Sequence, residues 1–269
     1  MELKLSCIDA MAPGGTLKEK FENLEMYGFS GIEFWMMTMT SKEFREREKE
    51  INEIASASKV KPSSIMVISP VLTRPLNSQR VKRQKAKVIK EGLRVAANLG
   101  AISFFAFSTA PQICPPLFPL PTPTEMEKKL LIELLKDVGR YAEDVGAILA
   151  IEPLNRFEGQ FFHTLDEAIV VCNEAGSDNI KIMADFFEMN IEERDIAESV
   201  RRAGEYIRHV HLSDSNRLLP GYGHIDFKSA FAALKEIGYQ GYMTLEGAVL
   251  GKPEEELPKC VKYLNQCIP

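Results

Sequence analysis

The stretch ILAIEPLNRFEGQFFHTLDEAIVVCNEAGSDNIKIMAD (148–185) reads as one complete strand–loop–helix–strand unit. ILAIE (148–152) and KIMAD (181–185) are short apolar runs of the length and composition of buried strands, and 165–175 carries a helical pattern between them. Strands apolar along their whole length, rather than alternating with polar residues, belong to a parallel sheet covered by helices. Both end on an acid, Glu152 and Asp185. An unpaired buried charge is costly, so acids at such positions require a partner or a task.

Outward from this unit the same alternation repeats. Upstream, LKLSCI (3–8), GIEFW (31–35), SSIMVI (63–68) and ISFFAF (102–107) read as strands, with helical patterns over 16–27, 41–58, 78–99 (stopped by Gly100) and 124–144. Downstream, helices are expected over 192–204, 227–237 and from 253 onward, with strands IRHVHL (207–212) and GYMTLE (241–246). Eight strand–helix units in 269 residues predict an α/β protein, a single (β/α)₈ TIM barrel forming one domain over 1–269. A doubly wound open sheet is the structural alternative. The proline-rich run PQICPPLFPLPTP (111–123) falls after the fourth strand, where it reads either as a stiff rim of the active-site face or as a connector or oligomer contact.

Composition narrows the function classes. A formal charge of −5 and only 4 histidines argue against a nucleic-acid partner and against a histidine-rich, multi-zinc DNA-repair nuclease on the same fold. Five cysteines at Cys7, Cys114, Cys172, Cys260 and Cys267 form no CxxC pair, so free thiols in a reducing compartment are expected. The start MELKLSCIDA is strand-like rather than a signal peptide, and no run reaches the ~20 apolar residues of a membrane helix. The expectation is a cytoplasmic protein without a membrane partner.

His211 and Glu246 end two further strands, as Glu152 and Asp185 end theirs. In a barrel the C-terminal strand ends carry the chemistry, and strands five to eight are neighbours, so the four tips can surround one ion. Three carboxylates and one imidazole make a hard, oxygen-rich site suited to Mn²⁺, Mg²⁺ or Co²⁺, with positions left for substrate oxygens. The alternative is a set of salt-bridged strand-end acids.

The local contexts are IEPLNRFEGQFF around Glu152, ADFFEMNIEE around Asp185, HVHLSDSNRLLPGYGHIDF around His211 and TLEG around Glu246. In these the chain resembles the xylose-isomerase-like sugar isomerase and epimerase superfamily, and within it the D-tagatose/D-psicose 3-epimerase group of ketose 3-epimerases. The resemblance implies that Glu152, Asp185, His211 and Glu246 bind one divalent metal, usually Mn²⁺. It implies that Glu152 and Glu246 are the acid–base pair on opposite faces of a sugar, and that Glu158 and Arg217 contact substrate oxygens. It also implies a homo-oligomer, dimer or tetramer. One position departs: where that group often reads D-x-x-H-M-N, this chain has Glu188, so a substrate-binding donor has become an acceptor and the known substrate preference does not carry over.

The implied reaction removes the proton beside a ketone to give an enediolate that the cation stabilises, then reprotonates the opposite face. Return of the proton to the carbonyl carbon instead makes an aldose–ketose isomerase, and loss of a β-hydroxyl makes a dehydratase. A sugar-binding barrel without catalysis is disfavoured because both glutamates are present. A phosphosugar enzyme lacks a glycine-rich phosphate loop after strands seven and eight. The substrate is a neutral sugar or a keto-sugar acid; the latter requires a cation, for which Arg74, Arg156 and Arg217 are candidates, with surface ion pairing the alternative for the first two.

Other residues carry two readings each. His209, one layer below His211, is expected to be a hydrogen-bonded core histidine; His163 and His224 reach either the substrate or their own loops. Trp35, Phe157, Phe161, Phe186 and Phe187 form an apolar wall or ordinary packing. Asp214 orients a ligand or caps its loop, and Glu33 touches substrate or forms a structural ion pair.

Overall fold

The structure is a computed structural model that describes residues 4–37, 41–106 and 120–269. Eight parallel strands close on themselves in sequence order: β1 (Leu5–Ile8), β2 (Gly31–Met37), β3 (Lys61–Ile68), β4 (Ile102–Ala106), β5 (Leu149–Glu152), β6 (Ile180–Asp185), β7 (Ile207–Leu212) and β8 (Met243–Leu245). The barrel closes through β1 and β8, with Leu5 opposite Met243 and Cys7 opposite Leu245. It is the (β/α)₈ TIM barrel that the strand count predicts.

Helices α1 (Leu17–Met26), α2 (Ser41–Ala57), α3 (Gln79–Leu99), α4 (Glu125–Val145) and α5 (Leu165–Ala175) follow the first five strands. Their ends are written in the sequence. Thr16, Thr124 and Thr164 each accept the backbone N–H three residues on, and the glutamate at that position reaches back, a reciprocal cap that satisfies free N–H groups at both ends of the turn. Gly100 and Gly146 stop α3 and α4 in the left-handed conformation that glycine adopts without steric cost. On α4, Leu131, Leu134, Leu135, Val138 and Ala142 form the buried stripe that joins the main core.

The expected helix over 192–204 is instead two: α6 (Phe186–Glu192), which starts directly off β6, and α7 (Ile196–Ala203). The reason is capping. Asp185 Oδ1 accepts the N–H of Phe187 at 2.7 Å and so begins α6 at the strand's last residue; Asp195 Oδ1 accepts from Glu198 N at 2.9 Å and begins α7. The remaining helices are α8 (Phe227–Glu236) and α9 (Pro253–Gln266). Strand β2 also runs two residues past the expected GIEFW. His211 is the penultimate residue of β7, and Glu246 stands one past β8. Most of the proline-rich run, with Cys114, lies outside the described residues; Cys7, Cys172, Cys260 and Cys267 are free and buried. Among the described residues no helix is long and apolar enough to cross a membrane.

Period-two alternation divides each strand's side chains between two environments. Ile151, Ile182, Val210 and Leu245 face outward into the main core between strands and helices. Inside the barrel, Phe104, Ala150 and Met183 form a small apolar cluster on the β4–β6 side. The opposite side of the interior is polar and fully shielded: Ser6, Glu33, Ser64, His209 and Thr244. Register sets the level of each residue, with Asp185 opposite His211 and His211 opposite Thr244.

Candidate metal centre and active site

Strands β5 to β8 bring Glu152, Asp185, His211 and Glu246 together at the C-terminal mouth of the barrel. One ligand atom from each lies within 4.8 Å of all the others. Glu152, Asp185 and His211 are buried, and Glu246 is slightly open to solvent. His211 Nδ1 lies 3.0 Å from Glu246 Oε2 and 4.0 Å from Asp185 Oδ2. Phe104 meets the His211 ring edge-on at 5.1 Å and so limits its tilt.

The cluster carries excess negative charge. Burial and the neighbouring Glu246 hold Glu152 well above the ordinary carboxylate range, and among the described residues it accepts no hydrogen bond. Burial pushes Asp185 up to about 6 against the pull of Arg217. Glu246 behaves oppositely: burial favours its neutral form, but His211 and Arg217 overcome this and hold it below its usual value. His211 is held well above the histidine range, because Glu33 and Glu246 outweigh its burial. Crowded, desolvated carboxylates beside an imidazole suit a hard divalent cation, which removes their mutual repulsion. The donor set present therefore fits a hard divalent cation.

Arg217 lies across the top of the cluster. Its Nη1 donates to Asp185 Oδ2 at 2.9 Å and Glu188 Oε1 at 3.2 Å, and its Nη2 to Glu246 Oε2 at 2.8 Å. Phe187 supports the guanidinium from below at 4.6 Å. Arg217 has φ +61°, unusual for a residue with a side chain. The turn is held by Arg217 N–H to Asp214 O and Asp214 N–H to Leu218 O, both 2.8 Å. Asp214 is the hub of that loop: its carboxylate accepts from the N–H groups of Ser215, Gly221 and Ile225. It touches none of the four strand-tip residues through these bonds, which favours the capping reading.

Glu188 is buried beside the cluster. Its Oε2 accepts from the backbone and side chain of Asn155 at 2.6 and 2.7 Å. Burial and Asp185 push its carboxyl up to about 8. Glu158 joins the same chain of bonds, its Oε1 accepting from Asn155 Nδ2 at 3.1 Å. Asn155 was missed in the sequence reading; its signal was its place three residues past Glu152, in the loop that follows β5.

The remaining candidates sort plainly. Arg156 is bound by Glu192 and Arg74 is exposed and turned to Gln84. His163 Nδ1 meets Leu154 O and His224 Nδ1 meets Ser215 Oγ, each a bond within or beside its own loop. Of the aromatics, Phe186 packs in the core against Phe227, whereas Phe161 lines a small recess with Glu152 and Leu154. His209 is fully buried and bonded to Glu33.

Known proteins share this arrangement of chain. A D-psicose 3-epimerase of Enterocloster bolteae is 41% identical over 116 residues, 43% of this chain and 38% of that protein. A 3-dehydro-D-guloside 4-epimerase of Escherichia coli is 28% identical over 190 residues, 70% of this chain and 69% of that one. The chain thus spans about two fifths of the length of the first relative and about two thirds of the second. In fold, it superposes on the apo crystal structure of a 3-keto-D-glucoside 4-epimerase from E. coli with a TM-score of 0.86, at 22% identity over 99% of this chain and 100% of that one. The model of the xylose isomerase-like TIM barrel family matches residues 21–267, nearly the whole barrel together with all four strand-tip residues, and the chain belongs to that family.

Proposed function

We propose that the protein is a metal-dependent sugar epimerase, an isomerase that inverts the carbon beside a ketone by removing a proton from one face and returning one to the other. The observation that carries this is the meeting of Glu152, Asp185, His211 and Glu246 within 4.8 Å at the barrel mouth. These four residues hold one divalent ion, with Mn²⁺ the first choice and Mg²⁺ or Co²⁺ alternatives. When bound, the ion supplies Lewis-acid polarisation of the ketone and offsets negative charge developing beside it. The relatives' names support the same regiochemistry: a 3-epimerase of a 2-ketose and a 4-epimerase of a 3-keto sugar both invert a centre adjacent to the carbonyl.

The two glutamates divide the proton work. Glu152 and Glu246 come from β5 and the end of β8, three strands apart around the barrel. One takes the proton from the carbon while the other delivers a proton to the opposite face, and two carboxyl groups on two sides are what inversion needs. Asp185 is a ligand without a proton task, because its Oδ1 caps α6 and its Oδ2 is bound to Arg217. Arg217 and Glu158 hold sugar hydroxyls, and Phe161 walls the recess beside Glu152.

The substrate we favour is neutral. Arg217 is committed to three carboxylates, Arg156 to Glu192, and Arg74 is exposed and turned away to Gln84. The stretches 1–3, 38–40 and 107–119 contain no Lys or Arg. A site so rich in acids repels a sugar carboxylate, and the arginine at the site, Arg217, already has its charge met by three protein carboxylates. Glu188, tied to Asn155 and Arg217, supports a hydroxyl-donating ligand at the place where a donor is usual. A 3-keto glycoside is the second substrate class, favoured by the guloside 4-epimerase that matches 70% of the chain.

The test is solvent exchange. Protein loaded with Mn²⁺ is mixed in D₂O with neutral ketoses, 3-keto glycosides and keto-sugar acids. Deuterium is expected at the carbon beside the ketone of a neutral substrate, with inversion, and Glu246→Gln should keep the fold and lower exchange at least ~10²-fold. Binding without exchange indicates a sugar-binding barrel; exchange in keto-sugar acids alone overturns the neutral assignment.

A further inference from the structure

One level below the strand tips, the barrel interior holds a polar cluster that the proposed chemistry does not use. At its centre is Glu33 on β2, whose side chain is wholly shielded from solvent. Glu33 Oε2 accepts from Ser64 Oγ at 2.6 Å and lies 2.9 Å from His209 Nε2 and 3.0 Å from His211 Nε2; its Oε1 accepts from Trp35 Nε1 at 2.8 Å. His209 Nε2 is itself 3.1 Å from Ser64 Oγ and Thr244 Oγ1.

A carboxylate in the middle of a barrel is tolerated only when donors surround it, and Glu33 has four. The carboxylate oxygen that takes the Ser64 hydroxyl also faces both rings at hydrogen-bond distance, so each histidine presents an N–H at Nε2. For His211 the consequence is specific. With Nε2–H given to Glu33, the other ring nitrogen, Nδ1, faces Glu246 at 3.0 Å and Asp185 at 4.0 Å. Once the ring gives up its Nδ1 proton, as metal binding requires, that nitrogen carries the lone pair and Nε2–H stays with Glu33. Glu33 reaches His211 across the interior from a strand that is not its neighbour, so the contact is independent of the sheet's own hydrogen bonding.

We propose that Glu33 is the positioning residue of the metal centre: it locks the His211 ring in the Nε2–H tautomer and thereby delivers Nδ1 to the cation, while Ser64, His209 and Trp35 hold Glu33 in place. This rests on the assignment of the four strand-tip residues as the ion's ligands.

The test uses ¹⁵N-histidine-labelled protein stripped of metal and titrated with Mg²⁺, a diamagnetic probe, by calorimetry and NMR. In the wild type we expect one Mg²⁺ per chain, with Nε2 the protonated nitrogen of His211 and Nδ1 the bound one. Glu33→Gln should weaken Mg²⁺ binding by ~10–100-fold, the range seen when such ligand-orienting partners are removed. Wild-type affinity in a folded Glu33→Gln protein, with only its melting temperature lowered, overturns the proposal and leaves Glu33 a structural ion pair. Binding through Nε2 of His211, or two ions per chain with one on Glu33, overturns it as well. Should Glu33→Gln fail to fold, Ser64→Ala removes the 2.6 Å bond to Glu33 and should weaken binding several-fold; unchanged affinity and an unchanged His211 signal then count against the proposal. Wild-type protein that binds no Mg²⁺ or Mn²⁺ removes the metal centre itself and this inference with it, whereas metal binding indifferent to Glu33 removes this inference alone.

Discussion

At the scale of single residues, Arg217 is the most informative side chain outside the four strand tips. It bonds to Asp185, Glu188 and Glu246 at once and brings a positive charge to the cluster beside that of His211. Losing one partner of a buried ion pair costs more than the pair itself contributes, because the remaining charge is stranded. Arg217→Ala should therefore destabilise the metal-free protein by about 2 kcal/mol, a value reduced from the fully buried case because a third of the side chain meets solvent. A divalent ion supplies the missing charge, so saturating Mn²⁺ should narrow the gap to the wild type in urea unfolding. An equal gap with and without Mn²⁺ contradicts the ion's placement among these acids. Arg217→Lys should leave stability nearer to wild type yet lower kcat/KM about tenfold or more, since an ammonium cannot span three carboxylates as a planar fork does.

At the scale of elements, the loop between β7 and α8 sets the position of that arginine. Asp214 gathers three backbone N–H groups, and Gly223 passes so close that a Cβ there would sit 2.3 Å from Asp214 Oδ1. Gly223→Ala should force the loop open, raising KM with little loss of secondary structure and a stability cost of about 1–3 kcal/mol; steady-state kinetics with far-UV circular dichroism checks this. Helix α3 carries a second device. Lys85 is buried and donates to the Leu72 carbonyl, pinning the loop after β3, and burial pulls its ammonium down to about 8. In the unfolded chain a lysine titrates near ~10.4, so between these values the unfolded state binds more protons and stability rises with pH. The wild type should gain about 2 kcal/mol on Lys85→Met between pH 7 and pH 10 in urea unfolding; a pH-independent difference indicates that Lys85 is not a desolvated ammonium. Elements also mark where sequence reading stopped. Strand tips were legible because apolar runs and alternation place residues without tertiary knowledge. Helix α6 was not, since Asp185 was read as a possible ligand and its Oδ1 also caps a helix beginning at once. Nor could Arg217 be aimed from sequence, its direction depending on a left-handed φ that arginine seldom adopts.

At the scale of the whole molecule, closure of the sheet is what joins residues far apart in the chain. Glu33 meets His211 across 178 positions, and nothing local to either announces it. The inward alternation of β2 and β7 limits the partners to a few, but which of them touch depends on barrel register, and only the folded chain supplies that. Closure also makes the four-residue cluster a linkage point for stability. An ion that binds the folded barrel and not the unfolded chain stabilises it by about 2.7 kcal/mol at a hundredfold excess over Kd, so chelation should lower the melting temperature and Mn²⁺ should restore it. The most direct measurement is a titration of chelator-stripped protein with Mn²⁺, the free ion counted by electron paramagnetic resonance, for the wild type and for Asp185→Ala. One tight site per chain in the wild type, lost or weakened at least a hundredfold in a folded Asp185→Ala protein, is expected; no binding by the wild type, or equal binding by both, contradicts a metal centre at the mouth of the barrel.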